Sequence, residues 1–335
     1  MSYHIPPTAK AVGFLWLDSV KLLKRNANAR PFLKWAGGKG QLLPTIIENL
    51  PRKLKKGNIK TYIEPFVGGG AVFFELSKLY DFENIILNDS NAELIMVYQT
   101  IRDDVERLIM RLHELEEEFL PKEKDTRQEI FYNIRKEFNE EKKSIDYSKV
   151  SSGIIRHSAN LIFLNKTCFN GLYRLNSKGG YNVPFGDYKN PTICDEVNLR
   201  NVNLALQGVT LVHGDFAEVT QFANNETFIY MDPPYRPLSD TSSFNSYQKA
   251  PFNDESQKRL ASWFKTLDGE KNAYLMLSNS DPKNTDLNDD FFDDLYKPFN
   301  IKRVSASRSI NSKGNKRGSI SELLITNYTE SEVIK

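Results

Sequence analysis

At 335 residues, 40% of them apolar and 26% charged, the chain is long enough for one large α/β domain with an insertion, or for two domains. An apolar run near the start, Ala11 to Leu17, closes at Asp18, short of the roughly 18 residues of a membrane span and poorly flanked for a secretion signal. The formal charge of +2 excludes little, and the expectation is a soluble cytoplasmic protein without membrane contact.

Residues 1–30 show no strand alternation or heptad and read as an extension, a short helix or a loose arm. Basic residues crowd the chain up to Lys60, opposed only by Asp18 and Glu48, and a second basic run holds Lys302, Arg303, Arg308, Lys313, Lys316 and Arg317. Glu114 to Asp146, in contrast, is dense in acids. Such polarity suits a nucleic-acid protein whose total charge is near neutral, with solvated surface as the alternative.

The first strong unit is a strand, Thr61 to Phe66, followed by Gly68-Gly69-Gly70, an apolar helix with Phe73, Phe74 and Leu76, and a second strand from Asn84 that ends at Asn88-Asp89. This is half of a nucleotide-binding βαβ unit. From Asn91 to about Leu164 the pattern is helical, but no heptad holds, which predicts a solvent-facing helical insertion. Asn165 to Tyr188 is polar and glycine-punctuated, as in a hairpin or irregular loop. Strand-like segments resume at Val209–Val212, Phe228–Met231, Ala273–Leu277 and Leu323–Tyr328. An α/β sheet interrupted by a mostly helical insertion follows, without internal repeats.

Cys168 and Cys194 are too few for a disulfide framework and lie near no patterned histidines. No metal is expected, and Cys168 reads as a packing residue.

The most informative residues are Asp232-Pro233-Pro234-Tyr235, directly after an apolar strand. Ligand chemistry in open α/β sheets gathers at the carboxyl ends of strands. Paired prolines fix an extended turn, remove two donors and leave carbonyls free to accept. A ring-conjugated amine such as adenine N6 is a poor nucleophile until its hydrogens are drawn toward acceptors, and Asp232 with the Pro233 carbonyl supplies that pair. Tyr235 offers a flat face for a base extruded from a duplex.

Around Glu64-Pro65-Phe66-Val67-Gly68-Gly69-Gly70, glycines permit close ligand approach at a strand-to-helix turn. Asp89, about 20 residues on, is the expected acceptor for ribose hydroxyls. Gly37-Gly38-Lys39-Gly40 lacks the phosphate-loop spacing, which disfavours ATP hydrolysis. In Phe32-Leu33-Lys34-Trp35-Ala36-Gly37-Gly38-Lys39, Trp35 and Lys39 read either as holders of a cofactor's methionine portion or as core tryptophan and surface lysine.

These three elements, in this order, resemble the Dam-type DNA adenine methyltransferases over roughly Pro31 to Tyr328. Phe169-Asn170-Gly171-Leu172-Tyr173-Arg174-Leu175-Asn176 and Asn182-Val183-Pro184-Phe185-Gly186 resemble the recognition hairpin of relatives that methylate adenine in GATC, most strongly those of restriction-modification systems. The resemblance implies a Rossmann-like methyltransferase sheet: an extension (1–30), catalytic parts at 31–92 and 196–335, and a target-recognition domain at 93–195. It implies S-adenosylmethionine as cofactor, held by Trp35, Lys39, Phe66, Gly68, Gly70, Asp89, Phe216 and Asp232.

By the same resemblance Asp232, Pro233 and Tyr235 are catalytic, and double-stranded DNA is the partner. Arg174 reads one guanine and Lys34 the other, as guanidinium pairs bidentately with guanine. Asn170, Leu172 and Pro184 read or pack against the inner base pairs, Phe169 fills the stack vacated by the flipped adenine, and Asn176 and Tyr188 join the interface. A cognate endonuclease would share the site without stable contact. Phe169 stands where some relatives carry tyrosine. Departures from the family are residues 1–30 and the charged stretch 114–143. Other planar amines (cytosine N4, RNA adenine, a protein glutamine) and a catalytically silent DNA-binding relative remain as rival readings.

Overall fold

The computed structural model describes residues 28–147, 150–236, 252–307 and 319–333. Most of the expected extension, and Arg308, Lys313, Lys316 and Arg317 of the second basic run, lie outside them. Short helical turns at Leu43–Glu48 (α1) and Arg52–Lys55 (α2) lead into β1, Thr61–Glu64. A glycine turn joins β1 to α3 (Ala71–Leu79), and β2 (Asn84–Asp89) follows. Long helices come next, α4 at Ala92–Phe119, α5 at Lys124–Glu141 and α6 at Ser152–Thr167. After a hairpin segment come α7 (Glu196–Leu206), β3 (Val209–His213) and β4 (Thr227–Met231). The rest is α8 (Asp254–Thr266), β5 (Tyr274–Ser280), α9 (Phe291–Leu295), β6 (Asn300–Ser307) and β7 (Ser319–Thr326).

Helix starts follow local chemistry. The side chains of Asn91, Ser151, Asp195 and Asn253 each accept a backbone N–H of the first turn of α4, α6, α7 and α8, which satisfies a donor the helix itself leaves unpaired.

The strands form a seven-stranded sheet in the order β3-β2-β1-β4-β5-β7-β6. The first five run parallel, while β7 lies antiparallel between β5 and β6. This is a Rossmann-like fold, and its strand order reverses between β1 and β4. Along the central strands, alternate residues enter different cores. Tyr62, Phe228, Tyr230 and Met276 belong to the core that also holds the insertion helices, whereas Ile63, Ile229, Met231, Leu275 and Leu277 join Leu260 and Phe264 of α8. Because both faces are covered, β1 and β4 are buried throughout and read as continuous apolar runs.

Three expectations need correction. The insertion is not solvent-facing as a whole. In α4 the stripe Leu94, Ile101, Val105, Leu108, Leu112, Leu115 and Phe119 is buried, and α6 is buried almost all round, so these helices share one core with the sheet. The charged residues cover only their outer faces. Second, β6 has no counterpart in the sequence pattern, because Lys302 and Arg303 interrupt its apolar alternation, as charges on edge strands commonly do. Third, those two cations are tied into the fold: Arg303 Nε donates to Asp281 at 3.0 Å and its Nη2 to Asp293 at 2.7 Å, while Lys302 reaches Asn49 Oδ1 at 3.0 Å. The acids that sequence spacing does not show arrive from other elements. No helix among the described residues is long and apolar enough to cross a membrane.

The α4 helix begins beside the sheet, kinks at Asp104, and carries the chain outward. Its first turn holds Glu93, 2% exposed, which ties the insertion together. Lys142 Nζ lies 2.9 Å from its carboxylate, His157 Nε2 lies 3.5 Å away, and the Tyr173 hydroxyl donates to it. Burial alone would raise the Glu93 pKa, but His157, Lys142 and Tyr173 outweigh burial and lower it.

A carboxyl lowered in the folded state stabilises the protein above its unfolded value of about 4.3 and loses that contribution as pH falls through the folded one. Glu93→Gln is expected to reduce unfolding free energy by about 3 kcal/mol at neutral pH. Urea titrations should show the gap to wild type closing below about pH 4; a gap that stays constant would contradict the assignment.

Candidate active site and nucleic-acid interface

At the point where the strand order reverses, the end of β4 delivers Asp232, Pro233, Pro234 and Tyr235. The Lys39 ammonium, on a side chain only 5% exposed, lies 3.1 Å from Asp232 Oδ1 and 3.5 Å from Glu322 Oε2. It also donates to the Tyr235 hydroxyl and sits 4.5 Å from the centre of that ring. Tyr235 in turn donates to Glu322 at 3.1 Å. From β5, Ser278 Oγ donates to Asp232 Oδ1 at 3.2 Å and stands 2.8 Å from the Tyr230 hydroxyl. Gln257 of α8 donates to the Pro234 carbonyl at 3.1 Å, whereas the Pro233 carbonyl receives no donor among the described residues.

Electrostatics follow from this crowding. Burial alone would lower the Lys39 pKa, but Asp232, Tyr235 and Glu322 outweigh it and hold the ammonium above its ordinary range. Burial raises the Asp232 carboxyl, and the nearby Lys39 opposes the shift. Tyr235 is likewise pushed up by burial and by Asp232. The lysine therefore meets Tyr235 at the hydroxyl end of the ring.

The glycine turn lies at the ends of β1 and β2. Gly68 N–H donates to Asp89 Oδ2 at 3.1 Å and Asn91 N–H to Oδ1 at 3.0 Å, partly offsetting the burial that raises this carboxyl. Gly70 adopts φ 72°, and a side chain there would begin 2.6 Å from the Tyr98 hydroxyl, so the turn requires glycine on both counts. Trp35 Cδ1 stands 3.0 Å from where a side chain on Gly68 would begin. The indole also stacks on Tyr173, ring centres 5.2 Å apart, and so joins the turn to the hairpin. Phe66 leans on Phe216 at 5.5 Å, and Phe216 is buried against Trp263, with the Arg259 guanidinium 4.1 Å from its ring.

The hairpin is built on the end of α6. Isolated bridges pair Cys168 with Phe185 and Leu175 with Tyr181. Asn165 holds its floor: it accepts Lys34 N–H at 2.8 Å, donates to Lys34 C=O at 3.0 Å and donates to Gly171 C=O at 2.9 Å. Gly171, at φ 64°, lies so close to the Lys34 stem that a side chain there would collide with it. Phe169 is 53% exposed. Asn170 N–H donates to the Tyr188 hydroxyl at 2.9 Å, and the Tyr188 ring lies 5.3 Å from Lys34 Nζ. Arg174 Nε donates to Asn182 Oδ1 at 2.8 Å. Asn176 spends its side-chain oxygen on Lys178 and Gly180 N–H groups at 2.9 and 3.0 Å and closes the turn. Leu172 is half-buried and Pro184 exposed.

The residues expected at the cofactor thus gather around the ends of β1 to β4, and those expected at DNA gather on the hairpin with Lys34. Sequence reasoning missed Glu322, Ser278, Gln257 and Asn165, whose partners are brought to them by other segments of the chain, so that local spacing carries no signal for them. It also missed Glu64, buried with Tyr62 donating to it at 2.8 Å; burial pushes its carboxyl well up. Cys168 is buried, its Sγ facing backbone carbonyls of Asn165 and Leu172, as a packing residue would be. Asn165→Ala should cost about 2 kcal/mol, since it strands buried backbone groups. Chemical denaturation measures this, and an unchanged midpoint would contradict the clamp.

Comparison with known proteins agrees with this geometry. Residues 35–310 match the family described as D12 class N6 adenine-specific DNA methyltransferase. The Type II methyltransferase M.MjaIII of Methanocaldococcus jannaschii is 52% identical over 300 residues, covering 89% of this chain and 99% of its own. The Type II methyltransferase M1.LlaDCHI of Lactococcus lactis subsp. cremoris is 38% identical, covering 92% and 98%. The DNA adenine methylase of Escherichia coli (strain K12) is 33% identical, covering 90% and 95%. With its sheet order, its Asp-Pro-Pro-Tyr turn and these relatives, the chain belongs to the D12 class of N6 adenine-specific DNA methyltransferases.

Proposed function

We propose that the protein transfers a methyl group from S-adenosylmethionine to N6 of an adenine turned out of double-stranded DNA in the cytoplasm, within GATC. The carrying observation is the placement of Asp232 and the Pro233 carbonyl at the β4 switch point. Lys39 and Ser278 both meet Oδ1 of Asp232, which orients the carboxylate and leaves Oδ2 to accept one N6 hydrogen while the Pro233 carbonyl accepts the other. Drawing both hydrogens aside aims the amine's lone pair, and placement supplies the rest of the rate.

The residues present fit the methyl donor. The glycine turn lets a ligand approach the backbone, Asp89 accepts from a ribose diol, Phe66, with Phe216 packed behind it, offers an apolar face to an adenine, and Trp35 and Lys39 flank the methionine end. When bound, the donor supplies an electrophilic sulfonium methyl. Tyr235 presents a ring face to the everted base.

For the target, Arg174 and Lys34 read guanines. Asn182 pre-orients the guanidinium, accepting from Nε at its side-chain oxygen and from Nη2 at its carbonyl, and a preset fork loses less freedom on binding. Exposed Phe169 fills the space left by the adenine. Asn170, Leu172 and Pro184 face the inner pairs, while Asn176 and Tyr188 shape the hairpin that presents them. The relatives named Type II methyltransferases support a restriction-modification setting, with an endonuclease sharing the site and making no stable contact.

Asp232→Ala should abolish transfer of labelled methyl to GATC-bearing duplex DNA while the protein keeps its circular dichroism spectrum. Near-normal turnover would sink the mechanism. Arg174→Ala should relax discrimination at one guanine by about 1 to 3 kcal/mol; a loss of equal size on every sequence would mark a phosphate contact instead. Sequencing plasmid methylated by the protein reads activity and target together.

A further inference from the structure

Lys39 needs only one carboxylate to be neutralised, yet two surround it. Asp232 and Glu322 lie 3.1 and 3.5 Å from its ammonium, with side chains 18% and 14% exposed. Among the described residues Lys39 is the one basic group paired with either acid. Taking an extra carboxylate out of water costs free energy that a shared lysine does not return. The Tyr235 hydroxyl, which donates to Glu322 at 3.1 Å, adds a hydrogen bond but no charge.

Glu322 cannot retreat to solvent easily. It sits within β7, paired with Ser280 of β5 on one side and Val304 of β6 on the other. The fold therefore maintains a surplus negative charge beside the Asp-Pro-Pro-Tyr turn, where a cation would offset it.

We propose that Glu322 is the charge-selecting residue of the donor pocket, leaving the Lys39, Asp232 and Glu322 cluster with one net negative charge that favours the cationic sulfonium donor over its neutral thioether product. This rests on the methyl-donor reading above. As the S–CH3 bond breaks and the N6–CH3 bond forms, the positive charge passes from sulfur to the amine and leaves with an N6 proton, so the same surplus that retains the donor weakens the hold on the neutral thioether. Glu322 acts on affinity and on release, and it positions Lys39 and Tyr235 without touching the target amine.

The test is calorimetric titration of the full chain with three ligands: S-adenosylmethionine, S-adenosylhomocysteine, and sinefungin, which carries an ammonium in place of the methylsulfonium. Glu322→Gln keeps the shape and removes the charge. It should weaken both cationic ligands about tenfold and the neutral thioether less than about twofold. Equal losses for all three ligands would make Glu322 a scaffold residue only, and unchanged affinities would likewise overturn the inference. Should the glutamine variant misfold, Glu322→Asp keeps the charge and must keep the cation preference; a preference that vanishes with the charge intact overturns the proposal. If wild type bound none of the three, the donor assignment would fall, and this inference with it. Wild-type binding with an unaltered preference in Glu322→Gln would remove the inference alone.

Discussion

A single buried ammonium organises the site. Lys39 comes from the loop ahead of the sheet, Asp232 and Tyr235 from the end of β4, and Glu322 from an antiparallel strand added late in the chain. Three segments distant in sequence are fixed to one another because their polar atoms are largely withdrawn from water. In a low-dielectric setting such contacts are strong when complete and costly when incomplete. The Asp-Pro-Pro-Tyr turn thus inherits its rigidity from charge pairing as well as from its two prolines.

A second polar assembly does for the insertion what Lys39 does for the sheet. Glu93 gathers Lys142, His157 and the Tyr173 hydroxyl around the first turn of α4, and Tyr173 carries Trp35 on its ring. The hairpin is therefore not a loop hung on a helix pair. Its root reaches through an aromatic stack to the glycine turn, and the core under it is continuous with one face of the sheet.

Much of this was legible in the residues. The parallel strands announce themselves as apolar runs, the glycine turn and Asp89 mark the first βαβ unit, and the Asp-Pro-Pro-Tyr turn follows the end of β4 as expected. What escaped has a common physical cause. Glu322 and Ser278 matter because β7 and β5 bring them beside Lys39 and Asp232, and pairing across a sheet leaves no trace in local spacing. Arg303 looks like a free cation until Asp281 and Asp293 appear next to it. The burial of α4 and α6 was hidden by charged outer faces, since a helix can shed one stripe into a core while its composition stays polar. Tyr235 was read from its ring alone, and its hydroxyl, tied to Lys39 and Glu322, was not.

The grip of Asn165 on residue 34 has an evolutionary side. Its amide meets the N–H and C=O of that position and nothing of the side chain, so the floor of the hairpin is indifferent to what is displayed above it. A lineage could exchange the residue at 34 while this backbone clamp stayed in place, the adjustment falling on the packing of its side chain against Gly171 and Tyr188.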